Sequence, residues 1–131
     1  MKSFRAILLV WLLGGLVNVM AAAVLPMDVS MIQLIANPKA YHGKAVRVIG
    51  FAELGINDNA IYLHEEDYKQ DNTKNGLWIE LPDDVRPKKA EYDLKYVVVE
   101  GVFNAKEMGN LGLWSGSIEK ITSFTVRKKV K

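Results

Sequence analysis

Apolar and polar residues alternate along five short stretches of this chain: Ala45–Leu54, Ala60–Glu65, Gly76–Leu81, Lys95–Ala105 and Ser117–Val126. A period of two predicts strands, each with one buried face. In the first stretch Val46, Val48, Gly50, Ala52 and Leu54 form the inward set, opposed by Arg47, Ile49, Phe51 and Glu53. In the second, Ile61 and Leu63 oppose Tyr62 and His64; in the third, Leu77, Ile79 and Leu81 alternate with Trp78 and Glu80. The fourth carries β-branched Val97, Val98, Val99 and Val102, an apolar run that predicts burial on both faces. In the last, Ile118, Ile121 and Phe124 recur every third residue, which predicts a bulge. Gly50 and Gly101 lie inside strands, where the absence of a Cβ permits a sharp bend.

The pattern changes ahead of the strands. Met27 to Asn37 reads as a short helix, with Asp28 or Ser30 as its cap and Met31, Leu34 and Ile35 on one face. Ile32 widens that apolar stripe, and Pro38 ends the helix. Such a helix would plug one end of a small barrel. The remaining segments read as connections: a turn at 39–44, a hairpin loop at 55–59 and a polar stretch at 65–76. An ordered loop or one helical turn follows at 82–93, then a glycine-rich segment at 104–116. The basic tail Arg127–Lys131 reads as frayed. The expected architecture is all-β with a short N-terminal helix: a five-stranded, partly open antiparallel barrel forming one domain over residues 24–131.

The first 23 residues change the picture of compartment. Lys2 and Arg5 precede the apolar stretch Ala6–Val17, and the small residues Ala21, Ala22 and Ala23 follow, which is the layout of a secretory signal peptide. Cleavage after Ala23 leaves Val24 as the first mature residue. The alternative is an uncleaved anchor, since Ala6 to Leu25 approaches the roughly 20 residues of a spanning helix. The chain has no cysteine, which excludes a disulfide framework and a lipid-modified N-terminal cysteine. A periplasmic or secreted location is expected. The full chain has 17 basic and 15 acidic residues; without Lys2 and Arg5 the counts are 15 and 15. A domain of zero formal charge lacks the positive excess of a nucleic-acid binder.

Several segments resemble an OB-fold. They are Tyr41-His42-Gly43-Lys44-Ala45-Val46-Arg47-Val48-Ile49-Gly50-Phe51, Ile61-Tyr62-Leu63 with Glu65-Glu66-Asp67, Gly76–Leu81, and Tyr96–Phe103. The forms G-K-x-V-x-V-x-G and V-x-G-x-F are similar to those of the tRNA-anti-like and related exported bacterial OB-fold proteins. The resemblance covers about residues 28 to 126. It implies the barrel and implies no particular substrate. An OB-fold of the usual layout has its helix between strands three and four; here that stretch, 82–94, contains prolines and the clear helix comes first.

The resemblance directs attention to the face of strands two and three and its adjoining loops, where OB-folds bind ligands. Tyr62, His64 and Trp78 are candidates for a stacking platform; packing beneath the 65–76 segment is the alternative. Leu111, Leu113 and Trp114 stand among glycines in a loop, where polar residues are the rule, and form a candidate binding lip. Lys39, Lys44 and Arg47 are a candidate basic edge. Glu65, Glu66, Asp67 and Asp71 do not follow the EF-hand spacing and read as a polar loop, so no metal site is assigned. Two histidines, no cysteine and no G-x-S-x-G give catalysis little support. No cofactor is expected. The expected function is a non-enzymatic exported binding or interaction module whose partner is a small molecule, an oligosaccharide or an envelope protein. No membrane span is expected once the signal is removed. Single-stranded nucleic-acid binding and a small metal-dependent enzyme are the alternatives.

Overall fold

The computed structural model describes residues 24–131. The expected signal peptide, residues 1–23, and the cleavage expected after Ala23 lie outside the described residues. Six strands and three short α-helices follow in the order β1 (Met27–Asp28), α1 (Met31–Ala36), α2 (Pro38–Tyr41), β2 (Ala45–Leu54), β3 (Asn59–Tyr62), α3 (Glu65–Lys69), β4 (Gly76–Ile79), β5 (Tyr96–Asn104) and β6 (Ser117–Val126). Strands β2, β3, β4, β6 and β5 pair in that order, and β5 returns to β2. The result is a closed five-stranded barrel of OB type. Closure is complete where a partly open barrel was expected. It is also mixed: β4 and β6 run parallel through Trp78–Ser117 and Ile79–Ile118, while the other barrel pairs are antiparallel. The parallel pair arises because β5 intervenes between β4 and β6 in sequence, so β6 approaches β4 from the same end.

The inward set of β2 is as the alternation predicts. Val46, Val48, Ala52 and Leu54 join Leu34, Ile61, Leu77, Ile79, Val97, Val99, Phe103 and Ile118 in one core. Along β5 burial alternates: Val97, Val99 and Phe103 are buried and Val98 and Val102 are half-covered, so the expected burial on both faces does not occur. The predicted bulge in β6 is present. Its register against β5 shifts between Glu100 and Val102, and Lys120 takes a φ of 47° there.

The predicted helix starts later than expected. Met27 and Asp28 pair with Val46 and Arg47 of β2, and Ser30 is the cap. Ser30 Oγ accepts from Gln33 N and Gln33 Oε1 accepts from Ser30 N, a reciprocal box that satisfies two otherwise orphaned donors. Pro38 ends α1 but opens α2, because a proline fits the first turn of a helix, where its missing N–H is not needed. Met31 and Leu34 seat α1 on the barrel, and Ile32 faces solvent. The seat requires Gly50, since a Cβ there would lie 2.8 Å from Ile61 Cβ and 2.9 Å from Met31 Cε. Two predicted strands are shorter than expected, ending at Tyr62 and Ile79. The 65–76 segment is ordered, with α3 followed by a 3₁₀ turn at Thr73–Asn75. Residues Arg86–Glu91 form 3₁₀ turns, within the range expected for 82–93.

Candidate functional site

Outside the barrel, the face of β3 and β4 carries a second buried cluster of Phe51, Ala60, Tyr62 and Trp114, flanked by Tyr68, Trp78 and Tyr96. The rings form a continuous chain. Centroid separations are 5.3 Å for Tyr96–Phe51, 5.6 Å for Phe51–Tyr68, 5.9 Å for Tyr68–Tyr62, 5.2 Å for Tyr62–Trp114 and 6.2 Å for Trp114–Trp78. These tilted and edge-to-face contacts are favourable ring arrangements. Tyr62 and Trp114 are buried by their neighbours, so neither offers a face for a bound base or sugar to stack on.

Two chain segments build this cover. Helix α3 delivers Tyr68, and the β5–β6 loop, residues 105–116, delivers Trp114. Along that loop Trp114 N donates to Met108 O, Ser115 N to Gly76 O, Trp78 N to Gly116 O, and Ser115 Oγ to Lys74 O at 2.6 Å. Gly109 sits against both tryptophans at φ 67°. A Cβ there would stand 2.6 Å from Trp114 Cδ1 and 2.7 Å from Trp78 Cδ2. The expected stacking platform is therefore corrected: Tyr62 is 2% exposed, Trp78 is half-covered and only His64 faces solvent. The lip is divided in the same way. Trp114 is 2% exposed and serves as its anchor, while Leu111 is 84% exposed. Leu113 is also exposed.

The β2–β3 loop, residues 55–58, meets the lip at Asn110 Nδ2 and Asp58 Oδ1, 3.4 Å apart. It is held from behind by Lys89 Nζ, which donates to Gly55 O at 2.7 Å, and Asp93 Oδ1 accepts from Leu54 N at 2.8 Å. Ile56 at its tip is 96% exposed. Ile56, Met108, Leu111 and Leu113 are the exposed large apolar residues of these two joined loops and form an apolar rim, where the sequence pattern offered Leu111, Leu113 and Trp114 as the lip. The signal for Ile56 was the same as for Leu111: an apolar residue among turn formers. Leu111 has a further property, a φ of 57°. A bulky residue in the left-handed region costs roughly 1–3 kcal/mol, and such strain clusters at functional positions.

Next to the aromatic cover, Tyr62 Oη donates to Glu53 Oε2 at 3.1 Å. Burial raises the Glu53 pKa above its ordinary 4.5, against the lowering effect of the Tyr62 hydrogen bond; Asp58, Asp71 and Asp93 add smaller raising contributions. Burial and the Glu53 charge push Tyr62 up as well, so its phenol stays protonated and donating.

The candidate basic edge is divided between an ion-paired Arg47 and two exposed lysines. Arg47 is held by Asp28 at 3.1 Å and Glu100 at 3.4 Å, so its charge is met on the protein surface. Lys39 lies on α2 and Lys44 immediately before β2; both are exposed. In the acidic segment Asp67 accepts from His64 N, Asn72 Nδ2 and Asn75 Nδ2, the work of a loop-stabilising carboxylate. Among the described residues no group of three or more histidines and carboxylates has metal-holding geometry. No protein-family model matches the chain, and the search of curated proteins finds no match.

Proposed function

We propose that this is an exported, non-enzymatic interaction module of the OB type that docks a protein partner on the apolar rim of Ile56, Met108, Leu111 and Leu113. The observation that carries the reading is Leu111. Its side chain is 84% exposed and its backbone is held at φ 57°. Neither property helps the fold, so a leucine at this position is accounted for by what it contacts outside the chain. The rim lies on the two loops that OB barrels use for ligands. Export is supported by the charged start, the apolar run and the Ala21–Ala23 triplet. Envelope proteins are the partner class that fits an apolar rim in that compartment. Two observations weigh against single-stranded nucleic acid: the rings of Tyr62 and Trp114 are covered, and Arg47 is already paired.

A photo-crosslinking side chain at position 111, introduced in the cell, tests the reading. A discrete adduct to one envelope protein is expected, lost when Ile56→Asp is added, with none from the same probe at exposed Ile32. Leu111→Gly is expected to abolish docking while leaving stability equal or up to about 1 kcal/mol higher, because glycine accepts the left-handed backbone without strain. Adducts of equal strength from positions 32 and 111 overturn the proposal.

A further inference from the structure

A second surface, sharing no residue with the rim, runs across the outer side of β2, β5 and β6. It consists of three adjoining hollows. Arg47 and Ile49 line the first, beside Asp28–Met31, and also the second, with Val98 and Thr125. Val126 and Arg127 continue from the second into the third, which Lys95, Tyr96, Lys129 and Val130 complete. The floor of this trough is apolar, with Ile49, Val126 and Val130 exposed. Its border is basic. Lys95, Arg127, Lys128 and Lys129 have no ion-pair partner among the described residues, whereas Asp28 and Glu100 are engaged by Arg47 and Glu65, beside Tyr96, by Lys69. A domain of zero formal charge therefore carries a local positive field here.

The way the chain reaches the domain gives this surface a direction. Val24 and Leu25, the end of the apolar run Ala6–Leu25, are exposed, and the following residues pair along β2 at the margin of the trough. The apolar end of that run thus enters the domain beside the trough. We propose that the trough is a docking surface for an anionic lipid bilayer, with the tail cations at headgroup phosphates and Ile49, Val126 and Val130 in the interfacial layer. Basic residues next to an apolar surface are the combination that binds such membranes, since neither attraction is sufficient alone.

Every barrel strand and both buried clusters lie within Val29–Val126, so the Val24–Lys131 domain carries its own core and is the form to test. It is sedimented with vesicles of neutral phosphatidylcholine and with vesicles containing about one-third phosphatidylglycerol. Strong preference for the anionic vesicles is expected, falling steeply with added salt. The triple change Arg127→Gln, Lys128→Gln and Lys129→Gln is expected to weaken partition about a hundredfold, at roughly one factor of five per cation. These positions lie beyond β6, and an unchanged melting temperature shows that the fold is kept. Lys39→Gln with Lys106→Gln, elsewhere on the surface, is the control and leaves partition unaltered. Equal binding to both vesicle types overturns the proposal, as does equal weakening by the control. Binding to a single-stranded oligonucleotide that displaces the domain from vesicles overturns it in favour of a soluble polyanion.

Discussion

The residue with the most informative environment after Leu111 is Glu53. Its carboxylate is partly buried and takes the Tyr62 hydroxyl hydrogen bond, yet burial dominates and its pKa is raised. The folded chain therefore keeps this proton at pH values where the unfolded chain has lost it. Glu53 contributes its full stability below the ordinary value of 4.5, and that contribution is lost as the pH rises through the raised value. Glu53→Gln does not titrate. In urea unfolding between about pH 4 and pH 7, the stability of the variant relative to wild type is expected to increase with pH. A gap that stays constant across that range refutes the assignment. Alternation in β2 placed Glu53 on the outward face, but no pattern in the sequence indicated that Tyr62 would meet it there, nine residues away across the hairpin.

At the scale of elements, the loop 105–116 is held by backbone hydrogen bonds and by one buried side chain. Trp114 touches Tyr62 and Trp78, and its indole N–H is buried without a hydrogen-bond partner. The ring area and the unpaired donor act in opposite directions. Trp114→Ala removes the ring and is expected to cost about 3–5 kcal/mol and to expose Trp78, read as a red shift of its fluorescence. Trp114→Phe retains much of the ring and deletes the donor, whose burial costs about 1–3 kcal/mol, so its net cost is expected to stay below about 2 kcal/mol. Similar losses for both variants would mean that the N–H is satisfied in solution. Helix α1 offers a comparable test, since Ser30→Ala removes one half of its reciprocal cap and is expected to lower stability by about 1 kcal/mol in thermal melts. The strands and α1 were legible because their periods are local. The 65–76 segment was not, since polar composition suits a loop and a short solvent-facing helix equally, and Tyr68 is drawn inward only because Phe51 and Tyr62 lie beneath it.

For the whole molecule, closure separates the parts that maintain the fold from the parts available for contact. The tail beyond β6 is on the second side: its tie to the barrel is the bond from Arg127 N to Tyr96 O at 2.8 Å. Deleting residues 128–131 is expected to change unfolding free energy by no more than about 0.5 kcal/mol, measured by denaturant midpoint, while removing much of the basic border of the trough. The sequence by itself determined the number of barrel strands, the inward residues of β2 and β4, the helix that plugs the barrel and the bulge in β6. Each follows from the spacing of apolar residues along a few consecutive positions, and burial enforces that spacing. Tertiary structure alone decided that β4 and β6 pair in parallel, that Tyr62 and Trp114 cover one another, that Arg47 is ion-paired with Asp28 and Glu100, and that the loop of Ile56 meets the loop of Leu111 through Asp58 and Asn110. Those outcomes depend on contacts between residues far apart in the chain. An aromatic or a charge has the same local pattern whether its partner is another side chain or a ligand, so only the closed barrel shows which of them remain free.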